Sequence, residues 1–302
     1  VRALLIPAFG PPEVLRVVDV DPPEPGPGEV RVRVRAAGVQ PADCAVRRGR
    51  MPPGATPALP IVPGNECAGV VDRLGAGVEG LAVGDEVIGF RTLGCDAEHA
   101  VLPADQVVPR DGMPWEEAGA LSASGQTAHT ALEDLGVTEG ETILVHAAAG
   151  GVGSAAVQIA RALGATVVGT AREANHDYLR SLGAIPVAYG DGVVERVRTL
   201  APRGVDAALD AIGGDAPAAS LALVADPDRV GTLVDVGAAE RLGVRALRSR
   251  RSADRLRALV DLWRRGALRV QVSRALPLER AAEAHREVEA GHVRGKIVLT
   301  PG

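Results

Sequence analysis

The chain has 302 residues, with 38 acidic and 33 basic side chains and a formal net charge of −5. Its 46% hydrophobic and 24% charged content is that of an ordinary globular chain, long enough for two domains. Mild acidity without a dense basic stripe argues against a nucleic-acid binder, and no run of about 18 uncharged apolar residues offers a membrane span.

Residues 1–112 read as short strands separated by turns. Val30-Arg31-Val32-Arg33-Val34-Arg35 alternates with period two. One face is valine and the other arginine, as in a half-buried antiparallel strand. Val70-Val71-Asp72, Glu86-Val87-Ile88 and Val101-Leu102 are further strands between Gly and Pro clusters. This spacing predicts a barrel-like all-β unit. The pattern changes after residue 113: residues 142–146 are a short apolar run, followed by a glycine-rich turn. Residues 152–163 have helical spacing, with Gly164 as the stop. Strands at 166–169, 185–188, 205–209 and 230–236 and a helix at 175–182 continue the alternation. Such alternation implies βαβ units and a parallel sheet. Residues 252–265 form an amphipathic helix with Leu256, Leu259, Val260 and Trp263 on one face.

The segment His146-Ala147-Ala148-Ala149-Gly150-Gly151-Val152-Gly153 carries the chemistry. It follows a strand and opens a helix, the context of a dinucleotide fingerprint. Gly150 lets the backbone approach a pyrophosphate, and Gly153 lets the helix pack closely on the strand. The helix N-terminus supplies unpaired N–H groups and partial positive charge. Ala148 stands at the first glycine position, so the strict G-x-G-x-x-G is not met. An NAD-selective site places an acid about 20 residues further on. Here the strand end is Thr170, with Arg172 two residues later. A guanidinium suits a 2′-phosphate that a carboxylate would repel, so NADP(H) is the expected cofactor.

Three cysteines (Cys44, Cys67 and Cys95) match no pairing motif, and the first residues show no export signal. A reduced, cytoplasmic chain is expected. Lys296 is the only lysine, a compositional bias that by itself assigns no function. Aromatic residues are 2% of the chain, leaving few rings to stack on a ligand.

Residues 147–160, AAAGGVGSAAVQIA, resemble the signature of quinone oxidoreductase-type enzymes, the zinc-free branch of the medium-chain dehydrogenase/reductases. Residues 63–71 (PGNECAGVV), 83–87 (VGDEV) and 295–299 (GKIVL) match further motifs of that superfamily. The resemblance implies an α/β protein: a GroES-like β-barrel catalytic domain over 1–112 and a Rossmann doubly wound parallel sheet over 113–266. Residues 267–302 would return to the catalytic domain, and the active site would be the cleft between the two.

The resemblance also implies site residues. Gln40 would position substrate or stabilise an oxyanion and would touch the cofactor. Thr127, Ala148, Gly150, Gly151, Val152, Gly153, Thr170, Arg172, Tyr189, Ile212, Gly213, Val236, Gly237 and Lys296 would hold NADP(H), with Tyr189 beside the adenosine. The zinc-dependent branch has Cys where Gln40 stands, His where Asn65 stands and Cys near Ala123. None of these replacements is a good zinc ligand, so no metal is expected. The motif over 40–49 keeps an amide in Gln40, but the tyrosines of several relatives are replaced by Cys44, Val46 and Met51. The implied activity is NADPH-dependent reduction of a quinone or other conjugated carbonyl, a small-molecule substrate. Alternatives are an enoyl-thioester or polyketide enoyl reductase, or an NADPH-binding protein with a sensing or structural role. The family further implies a homodimer built through an edge strand at 243–248.

Overall fold

The computed structural model describes residues 1–302 except 53 and 57. Two compact units are formed, one by residues 1–123, 252–261 and 270–302, the other by 124–251 and 262–269.

The first unit opens with β1 (Arg2–Leu5), β2 (Arg16–Asp19), β3 (Glu29–Val39), α1 (Pro41–Arg47), β4 (Glu66–Leu74), β5 (Glu86–Phe90), β6 (His99–Pro103), β7 (Val107–Pro109) and α2 (Trp115–Ala118). The alternating run lies in β3: Val30, Val32 and Val34 are fully buried. The arginines between them face outward, and Arg31 pairs with Asp72 at 2.9 Å. β3 is long enough to pair antiparallel with β4 along most of its length and with β6 near its start. Its valines, Val71, Leu102 and the free cysteines Cys67 and Cys95 share one core. The unit runs on through Ala123 rather than stopping at 112. The reason is close packing: a Cβ on Gly119 would stand 2.6 Å from the Ala36 carbonyl oxygen of β3.

The second unit holds most of α3 (Ser122–Asp134), then β8 (Thr142–Val145), α4 (Gly151–Ala162), β9 (Thr166–Ala171), α5 (His176–Ser181), β10 (Ile185–Ala188), α6 (Val193–Leu200), β11 (Ala207–Asp210), α7 (Ala216–Leu221), β12 (Val230–Thr232), α8 (Val236–Leu242) and β13 (Arg245–Ala246). Its sheet has the order β10-β9-β8-β11-β12-β13, every pair parallel. That is the doubly wound order with β8 at the switch point, where ligands sit beyond the carboxyl ends of the strands. The strand expected at 230–236 stops at Thr232, because Thr232 Oγ1 accepts from the N–H groups of Val234 and Asp235. Asp235 then caps α8 by accepting from the Ala238 N–H at 2.8 Å, so Val236 and Gly237 open a helix. The edge strand expected at 243–248 shortens to β13, two exposed residues.

The chain then runs through α9 (Ala253–Arg264), β14 (Val272–Pro277), α10 (Ala281–Glu289) and β15 (Lys296–Thr300). Leu256, Leu259 and Val260 of α9 are buried as its periodicity predicts. In the first unit β15 pairs antiparallel with β3, bringing Ile297 opposite Val39, and β14 adds parallel to β15. This pairing sets the start of β15 beside the end of β3, where α1 begins.

Candidate functional site

The glycine-rich turn leaves β8, whose four residues are all buried, and enters α4 with Gly150 as N-cap. Its two glycines have different physical reasons. A Cβ on Gly153 would lie 2.2 Å from the Ala147 carbonyl oxygen and 2.7 Å from Ala148 Cα, so close packing of helix on turn demands glycine there. Gly150 has φ −79°, and its nearest neighbour to a Cβ is that same oxygen at 3.4 Å. The protein itself does not require a glycine at 150; an approaching pyrophosphate would. The left-handed bend falls on Ala147, φ 54°, one residue before the first position of the motif. Ala148 points inward, and a Cβ on Gly169 would meet its methyl at 2.8 Å.

Thr170 corrects the sequence reading. It is 2% exposed, and its hydroxyl accepts from the Ala147 N–H at 3.2 Å. The oxygen read as a ribose contact pins the turn instead. A chain of hydrogen bonds continues from it: Thr170 Oγ1 lies 3.4 Å from His146 Nδ1, and His146 Nε2 lies 3.1 Å from Ser220 Oγ. Ser220 donates to the Ala216 carbonyl at 2.8 Å, so its oxygen accepts from Nε2–H. Thr170 then donates to Nδ1, an arrangement that needs a neutral imidazole. Burial pushes His146 down to about 4, with the Asp210 charge opposing. Sequence reasoning did not assign this histidine a role. Only the fold reveals it, because its partners, on β9 and α7, lie 24 and 74 residues away.

The other expected cofactor residues gather by topology at the carboxyl ends of the strands. Arg172 is exposed just beyond β9, and Tyr189 follows β10 at 56% exposure. Ile212 follows β11 and Val236 opens α8, at 60% and 50% exposure. Large apolar side chains left in water along this edge suit a ligand with apolar rings. Asp210 shapes the loop at the end of β11: its Oδ1 accepts from the N–H groups of Ile212 and Gly213, both at 2.8 Å, and its Oδ2 from the Thr232 hydroxyl. Gly151 and Val152 begin α4, Gly237 is exposed on α8, and Thr127 is half-buried on α3.

Gln40 and Lys296 meet in the first unit, around Glu66. Glu66 Oε1 accepts from Gln40 Nε2 and from Lys296 Nζ, the latter at 3.1 Å. Glu66 Oε2 accepts from the Ala123 N–H at 2.6 Å. Gly38 makes room, since a Cβ there would fall 2.2 Å from Glu66 Oε1. The second hydrogen of Gln40 Nε2 faces the Gly38 carbonyl at 3.5 Å. The amide donors read as oxyanion stabilisers are therefore engaged inside the protein. Asp43 accepts from the Gln40 backbone N–H at 2.7 Å, and burial pushes its carboxyl up to about 7. Asp96 is fully buried, with neither carboxyl oxygen hydrogen-bonded. Burial, then the charges of Asp43 and Glu66, hold it well above the usual carboxylate range. The sequence contained Glu66 only as part of a signature, and nothing local marks Asp96. Arg47, from the same motif as Gln40, is fully buried between the Gly10 carbonyl, His285 and Glu289.

Residues 26–114 match the alcohol dehydrogenase GroES-like domain family, and residues 182–299 match the zinc-binding dehydrogenase family. A quinone oxidoreductase of Pseudomonas aeruginosa is 36% identical over 324 residues, covering 97% of this chain and 98% of that protein. The human synaptic vesicle membrane protein VAT-1 homolog is 30% identical over 349 residues, covering 100% and 86%. Polyketide synthase GfsB of Streptomyces halstedii is 40% identical over 265 residues, 78% of this chain but 4% of the synthase. Among solved structures, an NAD-dependent alcohol dehydrogenase superposes with a TM-score of 0.89 at 34% identity, covering 100% of both chains. Mycobacterial Rv1454c, complexed with NADPH, superposes with a TM-score of 0.87 at 32% identity, also covering 100% of both.

Proposed function

The chain belongs to the medium-chain dehydrogenase/reductases, in their quinone oxidoreductase-like group, and is an oxidoreductase; on that premise we propose that it reduces quinones or other conjugated carbonyls with NADPH, without zinc. The observation that carries the reading is the turn at 147–153, where Gly150 has a glycine's freedom that the protein's own packing does not use.

A bound nicotinamide nucleotide supplies the hydride; the chain's residues bind and orient it. The opening N–H groups of α4 and its dipole would hold the pyrophosphate. Arg172 would pair with the 2′-phosphate. Tyr189 would lie against the adenosine, and Ile212 and Val236 would cover apolar rings. Ala148 and Gly153 shape the turn, while Gly151 and Val152 supply its helical N–H groups. Thr127, Gly213 and Gly237 complete the cofactor surface in this reading. Gln40 would touch the substrate. Zinc independence is supported by Gln40 and Asn65, neither a good zinc ligand, and by the engagement of the Gln40 amide with Glu66. The solved NADPH complex of a relative supports the nucleotide. We place the protein in the cytoplasm as a homodimer joined through β13.

The test follows NADPH absorbance with a panel of quinones, enones and an enoyl thioester, with NADH in parallel. Turnover of a quinone or enone with NADPH is expected. Turnover of the thioester alone would favour the enoyl-reductase reading, which the match to the polyketide synthase motivates. Tight NADPH binding without any turnover would point to the sensing role.

A further inference from the structure

Lys296 is the only lysine among 33 basic residues. The structure gives that exception a reason. Lys296 opens β15 and is buried, with Nζ 3.1 Å from Glu66 Oε1 and 3.4 Å from the Val39 carbonyl. A compact ammonium and a planar guanidinium fork are not interchangeable in so enclosed a place. Glu66, fully buried, passes the effect on, because the same Oε1 accepts from Gln40 Nε2. The orientation of the Gln40 amide is thereby decided. Turned over, it would set its oxygen against Glu66 Oε1 and the Gly38 carbonyl, and both contacts would repel.

The cluster gathers three acids and one base: Asp43 from α1, Glu66 from β4, Asp96 from the segment before β6, and Lys296 from β15. Removing the ammonium leaves the Glu66 carboxylate uncompensated in a buried place already crowded with acids. A carboxyl that then takes a proton becomes a donor and no longer holds an N–H group.

We propose that Lys296 is a positioning residue: through Glu66 it fixes the Gln40 amide with its N–H groups inward, so that Gln40 offers its oxygen and takes a ligand's hydrogen-bond donor. This rests on the reading above that Gln40 touches the substrate. It replaces direct contact of Lys296 with the cofactor by an action through two side chains.

The test uses the full chain labelled with nitrogen-15 glutamine, together with NADPH and 1,4-benzoquinone. The Gln40 side-chain resonances are assigned by their loss in Gln40→Leu. In the unmodified protein they are expected to be protected from exchange. Lys296→Met is expected to abolish that protection, to lower kcat/KM for benzoquinone about tenfold or more, and to leave NADPH affinity within about twofold. Lys296→Met combined with Gln40→Leu is expected to be no worse than the worse single change, since both act on one amide. If Lys296→Met does not fold, pairing it with Glu66→Gln removes the buried charge and the same readouts apply. Intact Gln40 protection with unchanged benzoquinone kinetics overturns the inference. So does a matching loss of NADPH affinity, which would make Lys296 a cofactor ligand. An unmodified protein that turns over no quinone or enone sinks the functional reading instead, and the glutamine resonances still decide this one.

Discussion

Thr170 and Arg172 stand two residues apart and face different worlds, the first inside the turn and the second exposed. An aspartate at 170 would place a carboxylate in a buried site and lose the hydroxyl that donates to His146 Nδ1. Thr170→Asp is therefore expected to weaken NADPH and NADH binding together rather than to exchange one for the other. Arg172 carries the selectivity in the functional reading. Arg172→Ala should cost NADPH about ten- to a hundredfold in affinity and spare NADH, the worth of one charge-assisted contact of roughly 1.5–3 kcal/mol. Fluorescence titration at low salt checks this; equal affinities in the unmodified protein would remove the argument. Burial raises Asp43 from 3.8 to about 7 and holds Asp96 well above 3.8. Between the unfolded and folded values the native state binds more protons than the unfolded chain, so stability falls as pH rises. The contribution is fully present below pH 3.8, and Asp43 loses its share as pH climbs to about 7. Asp96→Asn should flatten the decline, with the variant's melting temperature gaining on the unmodified protein from pH 5 to pH 8. A constant offset between the two curves would show that Asp96 does not titrate in that window.

At the scale of elements, α4 and the turn before it work as one piece. Val157, Ala156 and Ala160 are fully buried, and Gly153 sets the distance at which the helix meets the turn. Gly153→Val forces a side chain against the Ala147 carbonyl and should destabilise the protein by about 1–3 kcal/mol or more. Gly150→Val meets no such obstacle at its Cβ; it should give up only the N-cap preference for glycine, about 1 kcal/mol, and lose most NADPH affinity. Calorimetry and NADPH titration of the two variants separate packing from ligand approach. Unchanged NADPH affinity in Gly150→Val would take the pyrophosphate away from this turn. α8 shows the limit of pattern reading. The run at 230–236 looks continuous as a strand. Yet Thr232 and Asp235 hydrogen-bond the following backbone, and such side chains favour turns and caps over ladders.

At the scale of the whole molecule, no helix among the described residues is long and apolar enough to cross a membrane. β13 closes one edge of the parallel sheet with two exposed residues. A homodimer that extends the sheet there should give twice the monomer mass by light scattering at micromolar concentration, and Ala246→Pro should return it to monomer by removing an edge donor. Monomer mass for the unmodified protein would leave β13 as a protected edge. The strands at 30–35, 142–146, 166–169 and 185–188, the helices at 152–163 and 252–265 and the glycine-rich turn were legible in the chain because each depends on residues close in sequence: period-two valines, helical spacing, a stop glycine. The motifs at 63–71, 147–160 and 295–299 were equally local and sufficed for the family. What the turn's threonine does, and which residues share the acid cluster, followed from pairings between distant strands. β15 lies against β3, and β3 against β4, so residues 40, 66, 123 and 296 meet at one carboxylate. The strand–helix alternation around the turn and the family were written in the chain, since they rest on local stereochemistry and short motifs. That Gln40 faces Glu66 and Thr170 faces inward came from the folded chain, because strand register chooses the neighbours of each side chain.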